Sequence, residues 1–237
     1  MSTTAGASAA FFDLDKTLIS RSSTLAFAPS FYRHGLISGM QAMRGALAQA
    51  TFRLSGADHR QMERIKEHVA KACRGWSAER VTEIVTAYLA ETIGPIVYAE
   101  ARRLVETHRE AGRDVIIVST AGQEMVRPIG AMLGATAVIA TRMRLAEGRY
   151  TGEVEFYAYG EAKAHRMREL ATERGYDLAS CFAYSDSHTD LPMLEAVGYP
   201  HAVNPDRELR RVAKERGWPV LAFVAGPDAG PDGRPAA

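Results

Sequence analysis

Cysteine is scarce: Cys73 and Cys181 are the only two in 237 residues, and no Cys-x-x-Cys pair exists. This excludes a disulfide framework and a zinc ribbon, and leaves two free thiols suited to a reducing cytoplasm. Net charge is nearly absent, with 29 Lys and Arg against 28 Asp and Glu. Nothing steers the whole molecule towards nucleic acid or an anionic membrane, and Arg102, Arg103 and Arg109 read as a solvated helix face. Long apolar runs are missing too. The best candidate, residues 25–54, is interrupted by Arg33, His34, Arg44 and Arg53, so no stable membrane association is expected. Residues 1–10 lack the basic start and apolar core of a signal peptide and read as a loose leader entering a strand. No internal repeat is found. What is present is 46% apolar and 24% charged residues, an ordinary globular composition able to bury a core. The Gly-, Pro- and Ala-rich tail, 226–237, cannot bury surface and is expected to be disordered.

Short β-rich runs alternate with longer helical ones. Ala9-Ala10-Phe11-Phe12, ending on Asp13, has the continuous apolar character of a parallel strand buried on both faces. Further strands are expected at 115–118, 137–140, 181–184, 200–203 and 220–223, and a helix at 160–174 stopped by Gly175. The alternation implies an α/β fold, a Rossmann-like parallel sheet core with helices on both faces. About a hundred residues separate the first strand from the second, more than any ordinary crossover needs. Helices over 24–54, 58–73 and 77–92, the last capped by Ser77, make this an inserted all-helical cap, residues 20–92, on a core of 1–19 and 93–225. Pro95 is expected to open the helix that runs to Ala111-Gly112. Alternation over 141–155 around Glu147-Gly148 predicts a β-hairpin.

In an open parallel sheet, ligands bind past the carboxyl ends of the strands, which gives weight to polar residues there. The first strand ends in Asp13-Leu14-Asp15-Lys16-Thr17, the second in Ser119-Thr120, and a later one in Ser185-Asp186-Ser187-His188-Thr189-Asp190. Lys163 adds a cation at a helix start. Converging carboxylates repel one another unless a cation joins them. An all-oxygen set favours Mg²⁺, which keeps waters and recruits phosphate oxygens. Ser119, Thr120 and Lys163 supply donors for a phosphoryl group. A lone Asp after a strand is usually a cap or turn residue, and Ser119 or Lys163 alone would mean little. The ordered set carries the inference, while His188 reads as a surface or supporting residue.

The sequence resembles the haloacid dehalogenase superfamily, in its phosphoserine-phosphatase-like branch (subfamily IB), from Phe11 to about Leu221. Phe-Phe-Asp13-Leu-Asp15-Lys-Thr17-Leu looks like that family's first motif and Val118-Ser119-Thr120 its second. Lys163 looks like its third, and Tyr-Ser-Asp186-Ser-His-Thr-Asp190-Leu-Pro its fourth. The run Ala-Val-Asn204-Pro-Asp206, with Gly217-Trp218-Pro219 after it, looks like a subgroup near the phosphoserine phosphatases.

The resemblance implies a Mg²⁺-dependent phosphatase acting on a small cytoplasmic metabolite through an aspartyl-phosphate. Asp13 would be the nucleophile and Asp15 the acid and base. Asp13, Asp186 and the carbonyl of Asp15 would bind Mg²⁺, and Ser119, Thr120 and Lys163 the phosphoryl oxygens. Asp190 would orient Lys163 or metal-bound water, with Thr17 also in support. Two departures bear on substrate. Nine residues after Asp13, where phosphoserine phosphatases carry a Glu for the substrate ammonium, stands Ser22, and Thr120-Ala121 replace two glycines. Cap residues facing the substrate would come from Arg21, Arg44, Arg53 and Arg60. The alternatives are a phospho-accepting, receiver-like signalling domain, phosphotransfer to an acceptor other than water, and a silent binding module. Oligomeric state is not legible.

Overall fold

A computed structural model describes residues 7–38 and 59–224. Most of the leader, the tail from 226, Arg44 and Arg53 lie outside the described residues. Among the described residues one seven-stranded sheet is formed by β1 (Ala9–Asp13), β2 (Asp114–Gly122), β3 (Ala137–Ala146), β4 (Arg149–Phe156), β5 (Phe182–Ser185), β6 (Tyr199–Val203) and β7 (Val220–Leu221). Their order is β4-β3-β2-β1-β5-β6-β7, parallel throughout except for the β3–β4 pair. All five residues of β1 are buried, as its unbroken apolar run requires of a central strand.

Side chains alternate across the sheet and so divide the core in two. Ala10, Phe12, Val115 and Ile117 join one apolar cluster, and Ala9, Phe11, Ile116 and Val118 the other. Between β1 and β2 the described helices are α1 (Ser23–Ala26), α2 (Ala28–Arg33), α3 (His59–Ala72), α4 (Ala78–Thr92) and α5 (Ala99–Glu110). After β2 come α6 (Gln123–Met132), α7 (Glu161–Arg174), α8 (Leu191–Glu195) and α9 (Arg207–Arg216). Ala101 and Val105 of α5 and Val126 and Ile129 of α6 cover the first face. Met167 of α7, Leu194 of α8 and Leu209 of α9 cover the second. Phe27, Phe31, Val81, Ile84 and Val85 belong to the first cluster too, so α4 and the α1–α2 pair share apolar packing with the sheet. No helix among the described residues is long and apolar enough to cross a membrane.

The expected elements differ in detail. The single helix over 24–54 is broken, because Pro29 starts α2 and Gly35, at φ 72°, ends its turn. Pro95 lies in a 3₁₀ turn, Gly94–Ile96, and the helix begins only at Ala99. The delay follows from pairing: the Ile96 carbonyl accepts from the Ser20 amide at 2.8 Å, and the Tyr98 amide donates to the Leu18 carbonyl at 3.1 Å. The expected hairpin is β3–β4, with Glu147 and Gly148 both at positive φ in its turn. The strand expected over 137–140 runs into the hairpin as one ten-residue β3. Ser77 caps α4, its hydroxyl accepting from the Arg80 amide at 3.2 Å. Cys73 and Cys181 are both free thiols.

One close approach fixes the entry to β6. The Gly198 amide donates to the Leu178 carbonyl at 2.9 Å, and a Cβ at Gly198 would collide with the Ala179 carbonyl oxygen and stand 2.7 Å from its carbon. Backbone has no rotamer with which to yield. Gly198→Ala is therefore expected to destabilise the fold by about 1–3 kcal/mol, read as a lower denaturant midpoint with an unchanged slope.

Candidate active site

Asp13 is the last residue of β1, in register with Val118 of β2, so Ser119 lies one step beyond its neighbour. Leu14 turns into the core, and the carboxylate of Asp13 faces the polar end of the sheet, buried. The Lys163 ammonium, in the first turn of α7, donates to Asp13 Oδ1 at 2.7 Å and to Asp190 Oδ2 at 2.9 Å. Asp190 Oδ2 also accepts from the Ser185 hydroxyl at 2.7 Å. Lys163 is placed by the opening of its helix. Gly160, at φ 54° and ψ −127°, adopts a conformation that only glycine tolerates, and its carbonyl accepts from the Lys163 amide at 3.1 Å.

Negative charge outnumbers positive in this pocket. Asp13 is lifted to about 7, chiefly by burial and with the charges of Asp190 and Asp15 adding to the rise, against the opposing pull of Lys163. Burial holds Asp186 well above the usual carboxylate range, with the charge of Asp13 adding to the rise. Burial alone would lower Lys163, but the carboxylates of Asp13 and Asp190 outweigh it and hold the ammonium charged. A site that binds protons this readily is one that a hard cation would relieve. The donors at this end of the sheet, Asp13, Asp186 and the backbone beside them, are all oxygens, the kind that Mg²⁺ takes from one or two carboxylates before completing its shell with carbonyl, water and phosphate oxygens.

Asp15 follows a different path. Its Oδ1 accepts from the Ser23 amide, at the start of α1, at 2.9 Å. Burial raises its pKa, and the Ser23 amide opposes the rise. Lys16 stands at φ 63°, a left-handed turn that costs a non-glycine residue about 1 kcal/mol and redirects the chain between Asp15 and Thr17. The Thr17 hydroxyl is buried without a hydrogen-bond partner.

Ser119 is buried, its hydroxyl accepting from the Ala121 amide at 3.2 Å. Thr120 is engaged elsewhere: its hydroxyl donates to the Ala158 carbonyl at 2.9 Å, and its carbonyl accepts from the Thr141 hydroxyl at 2.7 Å. What Thr120 can offer a phosphoryl group is its backbone amide. The Ala158 amide in turn donates to the Thr141 hydroxyl at 3.2 Å, which ties the loop between β4 and α7 to the end of β2.

Three contributors have no role assigned from sequence, although Ser185 and Asp206 stand within the motifs quoted above. Ser185 and the amide of Ser23 hold Asp190 and Asp15. Asp206, just after β6, accepts from the His188 amide at 2.8 Å, and lies 2.9 Å from His188 Nδ1. Its own amide donates to the Asp186 carbonyl at 2.8 Å. Position beyond a strand end, the signal used for Asp13 and Asp186, also applies to Asp206. His188 is thus a half-exposed residue supporting the Asp186 loop.

Residues 10–195 match the family model of the haloacid dehalogenase-like hydrolases. An "Inhibition of morphological differentiation protein" of Streptomyces azureus is 59% identical over 91% of this chain and 78% of its own length. A probable phosphatase of Mycobacterium tuberculosis is 54% identical over 91% and 75%. More distant relatives are a phosphoserine phosphatase of the same organism, 33% identical over 91% and 70%, and a histidinol-phosphatase of Neisseria meningitidis, 34% identical over 90% and 98%. Among solved structures, a protein of unknown function from Bordetella pertussis superposes with a TM-score of 0.79 at 28% identity, over 91% of this chain and 98% of that one.

Proposed function

This chain belongs to the haloacid dehalogenase-like hydrolases and is a phosphomonoester hydrolase of their phosphoserine-phosphatase-like branch, and we propose that it transfers the phosphoryl group of a small metabolite to water through Asp13. The observation that carries this reading is the buried Lys163 ammonium bridging Asp13 and Asp190, since it fixes a carboxylate oxygen at a strand end where a phosphate can meet it. Asp13 attacks phosphorus, the ester P–O bond breaks, and the departing oxygen takes a proton from Asp15. Burial favours the protonated form of Asp15 that this step needs. Asp15 then accepts a proton from the water that cleaves the aspartyl-phosphate. Ser119, the Thr120 amide and Lys163 hold the phosphoryl oxygens, and Asp190 orients Lys163. Asp13, Asp186 and the Asp15 carbonyl would hold Mg²⁺, which when bound offsets charge on the phosphoryl oxygens. The free thiols of Cys73 and Cys181 suit work in the cytoplasm.

The test is phosphate release from a panel of phosphorylated metabolites, with Mg²⁺ and then with a chelator. Release should require Mg²⁺. Phosphoserine should not lead the panel, because Ser22 immediately precedes the amide that holds Asp15 and brings no carboxylate for a substrate ammonium. A tenfold lead for phosphoserine in kcat/KM, about 1.4 kcal/mol, would overturn the argument from Ser22.

A further inference from the structure

From Lys16 to Ala57 the chain runs 42 residues without an Asp or Glu, while Lys16, Arg21, Arg33, Arg44 and Arg53 give it five cations. An even spread of the chain's 28 carboxylates would put about five there. The stretch begins directly after Asp15, so one side of the active site is entered by cationic chain with no acid of its own.

Within that stretch Arg33 is engaged: it donates to the Ser30 hydroxyl at 3.3 Å and lies over the Tyr88 ring, 4.7 Å from its centroid. Arg21 is not. It is half-buried, its Nε is shut off from solvent without a hydrogen-bond partner, and among the described residues its side chain makes no ion pair. Its backbone is pinned on both sides. The Ser20 amide donates to the Ile96 carbonyl at 2.8 Å, and the Ser23 amide to Asp15 Oδ1 at 2.9 Å. Asp15 protonates the departing oxygen, so Arg21, two residues from the amide that holds that carboxylate, flanks the leaving-group side. Lys16, exposed at the left-handed turn, adds its charge there: burial lifts both Asp15 and Asp186, and Lys16 opposes both rises.

A guanidinium taken half out of water with no acid to meet it costs stability, and that cost is offset when an arriving oxyanion accepts from its fork of donors. Building on the phosphatase reading, we propose that Arg21 is a specificity-determining residue, and that the preferred phosphomonoester carries a second anionic group, a carboxylate or another phosphoryl group, on the alcohol it releases. The contact is made before and during transfer, so it acts mainly on KM. A cationic alcohol would meet Arg21 and Lys16 with like charge.

Two measurements on the full chain, with Mg²⁺ present, test the assignment. The first is turnover of four esters of two-carbon alcohols that differ in their second group: carboxymethyl phosphate, ethylene bisphosphate, 2-hydroxyethyl phosphate and 2-aminoethyl phosphate. One of the two anionic esters should lead the hydroxyethyl ester in kcat/KM by at least about tenfold, and the aminoethyl ester should come last. Which anionic ester leads tells carboxylate from phosphoryl group. Arg21→Gln should bring the anionic-to-neutral ratio close to one, chiefly through KM, and Arg21→Lys should keep part of it, because a point charge survives without the fork. The second measurement is calorimetric binding of 3-phosphonopropionate against 3-hydroxypropylphosphonate, neither of which can be hydrolysed. A wild type that favours the hydroxyethyl or aminoethyl ester, or treats all four alike, would overturn the proposal, as would an Arg21→Gln variant that keeps the ratio. An Arg21-dependent preference for 3-phosphonopropionate with no turnover of any ester would leave the assignment standing and remove the phosphatase reading.

Discussion

Asp15→Asn is expected to leave the enzyme phosphorylated. The substitution keeps the shape of the side chain and the backbone carbonyl, but removes the only proton that Asp15 can give or take. For an ester with a poor leaving group, turnover should fall by roughly 10² to 10⁴-fold. An activated aryl phosphate needs little protonation to depart, so its first step should survive better than the hydrolysis that follows. Aspartyl-phosphate should then accumulate on Asp13, visible as a mass increase that hydroxylamine removes and that Asp13→Asn abolishes. The same experiment separates a hydrolase from a receiver-like domain, because a signalling domain holds its phosphoryl group without a carboxylate two residues on. Undiminished hydrolysis in Asp15→Asn, or a long-lived phosphorylated wild type, would favour the signalling alternative.

The second large effect concerns Lys163. Lys163→Met keeps the length and bulk of the stem but leaves Asp13 and Asp190 buried against each other with no cation between them. Breaking a buried ion pair on one side costs about 3–5 kcal/mol, because the remaining charge has neither water nor partner. Turnover should fall as well, by roughly 10² to 10³-fold, since a donor aimed at developing phosphoryl charge is lost. The double variant Lys163→Met, Asp190→Asn separates the two effects. It removes one of the stranded charges, so the melting temperature should partly recover while phosphate release does not. If both recover together, Lys163 serves the fold alone.

Much of this arrangement was legible before any coordinates. The unbroken apolar run of β1 marks a strand covered on both faces, and the Glu147-Gly148 turn marks the β3–β4 hairpin. Asp13, Lys163 and Asp190 were nominated from their places beyond strand ends and at a helix start, and the structure brings these three into direct contact. The misreadings have physical causes. Helical periodicity runs through residues 24–38, but Pro29 and Gly35 divide it, and their effect depends on how Phe27 and Phe31 pack under the sheet. Pro95 has the φ of a first helical residue, yet backbone bonds from Ser20 to Ile96 and from Tyr98 to Leu18 tie that segment down, and Val97 and Tyr98 stay extended before the helix begins. The Thr120 hydroxyl is taken by the Ala158 carbonyl, 38 residues on, which leaves its amide as the donor that its position beyond the strand offers. The pairing of Asp206 with His188, 18 residues back, is a contact that spacing alone does not encode.

The pairing around β4 has a consequence for how the chain meets other molecules. As an outermost strand, β4 would present unsatisfied amides and carbonyls to any neighbouring molecule, the usual seed of intermolecular sheet growth and aggregation. Here residues 75–78 lie across its first half. The Gly75 amide donates to the Tyr150 carbonyl at 2.8 Å, the Tyr150 amide to the Trp76 carbonyl at 2.9 Å, and the Ala78 amide to the Gly148 carbonyl at 3.0 Å. The other half carries the surface pairs Arg142–Glu155 and Arg144–Glu153, whose charges resist an uninvited strand. At the far side of the sheet, β7 is only two residues long, too short to template growth. The segment that leads into α4 thus doubles as a gatekeeper. Any change that frees residues 75–78 from β4 would therefore uncover a sticky edge as well as loosen the start of α4.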